Sequence, residues 1–355
     1  MKTDPKPLIS VSVLLWHSKK HIKSCLESLL AQTCQDFELI AADNNEAEFT
    51  DRGTDEFWQT IEENRAIKER LTFIDNKKNI GFAAGHNKNT ERAKGEYILW
   101  LNHDVILSPD FLDKAVAVLK RHPKAGGVQA RCLRLEEKEG GWQKTGKIDN
   151  CGLVVLKNRR IIARGQGRPA EGLYLKEEEV FGVDGAAPLF RKKTLEDVKL
   201  CLSGRCEYMD EDFLSYKEDV DLAWRFRLYG WQAVYGPEVL AWHARGSGDS
   251  AKTDYWGIIQ ERRKINDLSK KLSFRNQRWL QIKNEAPALF WRHFPYWFSK
   301  EILAWGYFFV FEGRNLEAIP QMFKGFPLMW RKRRIIQQER KKRGVGYKEM
   351  RRWFI

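Results

Sequence analysis

The sequence lacks any CxxC pair, and its six cysteines, at 25, 34, 132, 151, 201 and 206, follow no regular spacing. A zinc ribbon or disulfide framework is therefore poorly supported, and reduced cytosolic thiols are expected. It also lacks an apolar signal region. MKTDPKPLIS leads directly into a polar-flanked strand, which points to a cytoplasmic location for this end. Long uncharged apolar runs are missing too. The best approximation, PALFWRHFPYWFSKEILAWGYFFVF (287–311), is broken by Arg292, Lys300 and Glu301, whereas a membrane span wants about 20 largely uncharged residues. There are no internal repeats, no low-complexity linker and no known nucleic-acid reader motif. Gly81 and Gly85 in NIGFAAGHN match neither a Walker loop nor GxGxxG.

What is present is globular. With 355 residues, 43% hydrophobic and 31% charged, the chain has room for one large domain or a domain plus an appendage. The net charge of +14 calls for an anionic partner: nucleic acid, nucleotide or acidic lipid. Most of that excess sits at one end, since residues 281–355 hold 16 Lys+Arg against 6 Asp+Glu. In the same region Trp291, Trp297, Trp305 and Trp330 precede RKRR and ERKKR, which fits an interfacial helix pair beside anionic lipid. The alternative is aromatic packing on the body with a solvated basic run. We divide the chain into a body, 1–255, and a helical, aromatic and basic region, 256–355.

The body alternates strand and helix. Ile9–Leu15 predicts a strand and the residues through Leu30 a helix. FELIAADNN predicts a second strand, Glu56 to Arg70 a helix, and LTFIDN a third strand. NIGFAAGHNKNTERAKG reads as a glycine-bearing loop entering a helix, and EYILWLNHDV as a fourth strand. This rhythm predicts a doubly wound α/β sheet, whose sites lie at the carboxyl ends of its strands. Asp43-Asn44-Asn45 and Asn102-His103-Asp104 stand at such ends. Short β-like runs between about 126 and 190 predict a mixed extension of the sheet.

Glu218, Asp219 and Asp221 crowd the start of a helical pattern, YKEDVDLAWRFRLYGW, with Leu222, Phe226 and Tyr229 at helical spacing and Gly230 placed to end it. Acids favour a helix's first turn, so these can be structural, chemical or both. Asp104 at a strand end is suited to a hard divalent cation, and His243, closing VYGPEVLAWH, is a residue type that completes such sites.

Six blocks in order, VSVLLWHSKKHIKSCLESLLAQT, AADNN, NIGFAAGHN, LWLNHDV, VDGAAPLFRKK and MDEDFLSYKEDVDLAWRFRLYGWQAVYGPEVLAWH, resemble the family 2 glycosyltransferases of the GT-A fold. Among these the chain is most similar to the rhamnosyltransferase-like branch of bacterial cell-surface polysaccharide synthesis. The resemblance spans roughly residues 8 to 246. It implies a GT-A-type, Rossmann-like doubly wound mixed sheet and an inverting transfer from a dTDP- or UDP-sugar to a glycan or lipid-linked acceptor; the C-terminal helical, membrane-surface appendage is read from the aromatic and basic tail alone. By position, Asp219 is the general base, and Asp104 with His243 holds Mg²⁺ or Mn²⁺. Trp16, Asp43, Asn79, Gly81, Phe82, Asn87, Asn102, Asp104, Gly185 and Ala186 would contact the donor. Glu218, Asp221 and Trp224 would contact the acceptor or play a supporting part, Asp221 serving the helix start or orienting the acceptor. The expected location is the inner face of the cell membrane, with no nucleic-acid partner.

Five positions depart from the family pattern. Asn102 replaces the first acid of DXD, His103 a usual proline, Trp16-His17 a usual Tyr-Asn and Glu46 a usual serine. Rival readings are a nucleic-acid-binding protein using the basic tail, a silent scaffold, and a nucleotidyltransferase. The last usually carries a glycine-rich loop that is missing between Leu15 and Ile22.

Overall fold

The structure, a computed structural model, describes residues 6–46, 52–139, 141–245, 249–252 and 254–355. Residues 1–5 of the expected cytoplasmic end, and residue 246 where the resemblance stops, lie outside them. The first half alternates as the pattern predicts: β1 (Ile9–Leu15), α1 (Ile22–Leu30), β2 (Phe37–Asp43), α2 (Thr54–Glu62), α3 (Arg65–Lys68), β3 (Leu71–Asp75), α4 (Phe82–Arg92) and β4 (Tyr97–Asn102). The single helix expected over 56–70 is two pieces. Asn64 interrupts it by capping α3, its side chain accepting from the Ile67 amide at 3.3 Å.

β4 ends at Asn102, earlier than its apolar pattern suggests, and turns through His103 and Asp104 into β5 (Val105–Leu107). Then come α5 (Phe111–Arg121), β6 (Ala125–Lys138), β7 (Gly141–Asn150), β8 (Leu153–Val155), β9 (Ile161–Ala163), β10 (Glu178–Val180), β11 (Leu189–Arg191) and α6 (Lys192–Val198). A hairpin, β12 (Leu200–Leu202) and β13 (Arg205–Glu207), precedes α7 (Glu218–Leu228) and β14 (Gln232–His243). Among the described residues ten strands form one mixed sheet, with the path β10-β14-β6-β11-β4-β1-β2-β3, β5 on β14 and β7 on β6. β4, β1, β2 and β3 are mutually parallel, and register pairs Leu14 with Asn102 and Leu15 with Asp43. Their carboxyl ends therefore share one edge. Side chains alternate across the sheet, so Val11, Val13 and Leu15 join one buried cluster with α1 and α5, while Leu14 joins the other with α7.

The reduced-thiol expectation fails at one pair: Cys201 and Cys206 are disulfide-bonded. The turn at Ser203-Gly204, both with positive φ, sets the two cysteines directly opposite each other across the hairpin. Cys25, Cys34, Cys132 and Cys151 are free.

Beyond the sheet come α8 (Tyr255–Lys264), α9 (Asp267–Asn284), α10 (Pro287–Arg292), α11 (Phe294–Phe311), α12 (Ala318–Lys342) and α13 (Tyr347–Arg351). α9 packs along α12, and Trp279 donates its indole N–H to the Met322 carbonyl at 2.9 Å. Gly325 leaves room for that indole, which occupies the place a Cβ would need. Leu280, Met322, Met329, Ile336 and Phe354 share one apolar cluster with Trp224 and Phe226 of α7. No described helix is long and apolar enough to cross a membrane.

Candidate active site

A cavity of about 470 Å³ opens where Asn102 and His243, at the ends of β4 and β14, face the amino end of α7. The approach to α7 is strained: Leu214, Tyr216 and Lys217 all hold left-handed backbone, with φ of 63°, 70° and 78°. Asn276 on α9 clasps this loop, its Nδ2 donating to the carbonyls of Phe213, Ser215 and Tyr216 at 2.9, 2.9 and 2.8 Å. Gly81, itself at φ 91°, meets the same loop, because Leu214 stands 2.7 Å from where its Cβ would be. The Phe82 amide then donates to the Leu214 carbonyl at 3.0 Å. Two segments far apart in sequence thus brace the start of the helix.

The brace points Glu218 and Asp219 into the cavity together. In mid-helix neighbouring residues diverge, but these two head α7 and have no preceding turn beside them. Burial, with Asp184 beside it, raises the Asp219 carboxyl, whose Oδ1 accepts from the Val220 amide at 2.7 Å. Burial and then Asp219 push Glu218 higher still, to about 8, and its Oε2 has no hydrogen-bond partner. Near neutral pH the pair presents one ionised acceptor and one protonated donor.

Gly185 and Ala186 form the facing wall, and a Cβ at Gly185 would stand 3.3 Å from the Phe82 ring. The Asn102 amide donates to the Ala186 carbonyl at 2.9 Å, which ties this turn to the end of β4. Asp184, which the sequence reading missed, also lines the cavity and accepts from the Ala186 amide at 3.2 Å. Burial and the nearby Asp149 raise its pKa. Its only sequence signal is an acid placed directly before a small-residue turn.

His243 Nε2 lies 3.3 Å from Asp104 Oδ1, and His243 Nδ1 lies 2.9 Å from Asp149 Oδ2. Asp149, also missed, is fully buried and receives Arg245 as well, at 3.1 Å. Burial opposes a charged imidazole here, but Asp104 and Asp149 outweigh it and hold the His243 pKa well above the usual range. Asp104 Oδ1 is buried without a hydrogen bond of its own. An orphaned carboxylate oxygen against an imidazole whose far nitrogen is fixed by a second carboxylate fits a divalent-cation site. His103, in place of proline, secures the turn through a bond from Nδ1 to the Leu14 carbonyl at 3.2 Å.

The expected donor contacts divide. Phe82, Asn102, Gly185 and Ala186 line the cavity, while Trp16 stands exposed at the end of β1. Asn79 is also exposed and accepts the Gly81 amide at 2.8 Å. Asp43 is saturated: Oδ2 takes Arg52 and Thr54, and Oδ1 takes the amide and side chain of Asn45, each at 2.8 Å. Contact with a nucleoside would require Arg52, its most exposed partner, to swing away. Asn87 does not face the donor side. Its amide holds the Met209 backbone at 2.8 Å in both directions and Glu211 at 2.9 Å, joining α4 to the 209–211 loop.

Asp221 and Trp224 do not line the cavity, and their contacts are structural. Asp221 is wholly buried against Arg225, Lys283 and Asn284, and Trp224 packs edge-on against Phe181 and Phe354. Neither lines the cavity, because they follow Asp219 by about half a turn and about one and a half turns of helix. Among the described residues one group of three acids, Glu207, Asp210 and Asp212, is close enough to chelate a metal. Lys332 already fills it, with Nζ 2.7, 2.5 and 2.6 Å from the three carboxylates.

Comparison with known proteins agrees with this architecture. Poly-beta-1,6-N-acetyl-D-glucosamine synthase of Staphylococcus epidermidis is 22% identical over 281 residues, covering 74% of this chain and 60% of that protein. The chain thus spans about 60% of the length of that relative. An uncharacterized glycosyltransferase of Methanocaldococcus jannaschii is 34% identical over 114 residues, 31% of this chain and 36% of that one. Among solved structures, residues 1–349 of Staphylococcus aureus TarS in complex with UDP-GlcNAc match with TM-score 0.51 and 13% identity, covering 96% of this chain and 92% of that one. GalNAc-T7 with UDP, GalNAc and Mn²⁺ matches at TM-score 0.52 and 10% identity, covering 82% and 55%. At such identities the likeness is one of fold, and the fold is GT-A. The description "Glycosyl transferase family 2" matches residues 10–198, more than half of the sequence, and the chain belongs to that family.

Proposed function

We propose that the protein is an inverting glycosyltransferase, moving a hexosyl group from a nucleotide-diphosphate sugar to a hydroxyl of a glycan or lipid-linked glycan. The observation that carries this is the Glu218–Asp219 pair, braced at the head of α7 and opening on the same cavity as Asn102 and His243. Asp219 takes the acceptor's hydroxyl proton as that oxygen attacks the anomeric carbon. The bond from that carbon to the donor's diphosphate breaks, and the nucleoside diphosphate leaves from the opposite face. Such general-base assistance is worth about 10²–10⁴ in rate. Glu218, protonated near neutral pH, is a poor nucleophile and a good hydrogen-bond donor, which favours direct inversion over a covalent intermediate. Asp104 and His243 would hold Mg²⁺ or Mn²⁺, an ion that neutralises charge on the departing diphosphate. We take a dTDP- or UDP-sugar as donor, with rhamnose the first sugar to test, and cell-surface polysaccharide as the product.

We further propose peripheral attachment to the inner face of the cell membrane. α11 supports it by being inside out. It buries Glu301, paired with Arg278 at 2.6 Å and with Lys300, and exposes Tyr296, Phe298, Ile302, Leu303, Phe309 and Val310. A helix stable in water does the reverse.

Screening donor hydrolysis and transfer against a panel of nucleotide sugars, with Asp219→Asn as control, tests the enzymatic reading. No turnover of any donor in the presence of Mg²⁺ or Mn²⁺ would overturn it.

A further inference from the structure

A second cavity, of about 610 Å³, lies between the tip of the β8–β9 hairpin, the end of α10 and α13. Lys157 comes from the hairpin, Arg292 from α10, and Lys348 and Arg351 from α13. Among the described residues no acidic side chain lines it and these four cations form no ion pair, the Lys157 backbone amide alone donating to the Ile355 oxygen at 2.9 Å. Arg352, also at its edge, is already taken by Glu179 at 2.7 Å. Like charges gathered without a counter-charge repel one another, and an anion between them relieves that cost.

The floor is built and polar. Arg159, fully buried at the hairpin tip, binds Glu285 at 2.6 Å and the Leu289 carbonyl at 2.9 Å, and donates to His293 Nδ1 at 3.1 Å. That bond leaves the ring proton of His293 on Nε2. Burial, then Arg159, Arg292 and Lys157, depress the imidazole to about 4, so it stays a neutral donor at physiological pH. The rim is amphiphilic. Tyr296 is 56% exposed with Lys157 Nζ 5.9 Å from its ring, and Trp291, the residue before Arg292, is 68% exposed. Exposed aromatic rings beside unpaired cations are the side chains that settle among lipid headgroups.

We infer that this pocket is a binding site for a phosphate or diphosphate carried on a lipid headgroup. The inference deepens, and rests on, the membrane attachment proposed above. The same hairpin contributes Leu153, Arg160 and Ile161 to the candidate active site. Lys157 and Arg160 are three residues apart, at most roughly 11 Å of chain. A headgroup held at Lys157 would therefore seat the bilayer surface beside the acceptor side of the catalytic cavity.

The test uses the full chain with chelator present, so that diphosphate affinity at the catalytic site is suppressed. Calorimetry with inorganic pyrophosphate reads the pocket alone. Co-sedimentation with phosphatidylcholine vesicles, with and without phosphatidylglycerol, reads the lipid source. The double variant Lys157→Gln/Arg351→Gln is compared with the charge-matched Lys120→Gln/Lys124→Gln on the body, each checked by thermal unfolding. The pocket variant is expected to weaken both pyrophosphate and anionic-vesicle binding by about tenfold or more, with the control little changed and pyrophosphate displacing wild type from vesicles. Equal losses in the two double variants would mean diffuse attraction and overturn the site. Pyrophosphate binding without vesicle binding would keep a phosphate site but overturn the lipid source. Vesicle binding that ignores both the pocket variant and pyrophosphate would sink the pocket while leaving membrane attachment standing.

Discussion

Lys283 on α9 places its Nζ 2.8 Å from Asp221 Oδ2, and both side chains are fully buried. The same ammonium reaches Asp210 at 2.5 Å, and Asn284 supplies a further bond to Asp221 at 2.7 Å. Asp221 follows Asp219 by two positions, so the C-terminal helices fix the helix that carries the proposed base.

Removing that charge takes one of two cationic partners from each buried carboxylate, leaving Arg225 on Asp221 and Lys332 on Asp210. Lys283→Met should cost about 3–5 kcal/mol of stability, the usual penalty for breaking a buried ion pair from one side. Denaturant unfolding checks it, and a loss under about 1 kcal/mol would contradict the network's importance. By the same reasoning residues 1–255 expressed alone, without Lys283, Asn284 and Lys332, should fail to give a cooperative unfolding transition.

Asp219 acts as a base only when ionised. Its carboxyl is pushed up to about 6 by burial and Asp184, so kcat/KM should rise with pH through that region and level off above it. Asp219→Asn should lower transfer by at least about a hundredfold and leave nucleotide affinity nearly unchanged. A variant keeping a tenth of the wild-type rate would remove Asp219 from the role.

Asp149 offers a finer test of the metal site than its direct ligands. Asp104→Ala and His243→Ala should each weaken divalent-ion dependence and donor binding. Asp149→Asn should weaken metal affinity by about 10–100-fold, since it only orients His243. Calorimetric metal titration separates the three, and transfer indifferent to thorough chelation would end the metal proposal.

For α11, Ile302→Ser/Phe309→Ser should reduce vesicle binding while leaving the unfolding midpoint nearly unchanged, because both side chains already face outward. Added salt should weaken attachment without abolishing it, as only the electrostatic part is screened. Unaltered co-sedimentation of the double variant would show that this face does not meet lipid.

The sequence by itself determined the parallel half of the sheet and the edge where chemistry gathers. Runs such as Ile9–Leu15 and Phe37–Asp43 are rich in apolar residues and buried on both faces, and the polar clusters follow where these strands end. It also marked Asp219, Asp104 and His243, because their order along the chain is characteristic. Tertiary structure decided what those acids are attached to. Asp149 has no local pattern and Asp184 only a small-residue turn after it, and β7 and the turn before β11 bring them beside His243 and Asp219. Asp221 and Asn87 carry the same chemical groups as the proposed site residues, yet long-range partners on α9 and the 209–211 loop have absorbed them. Hydrogen-bond capacity is finite, and only the folded neighbours show whether a side chain has any left for a ligand.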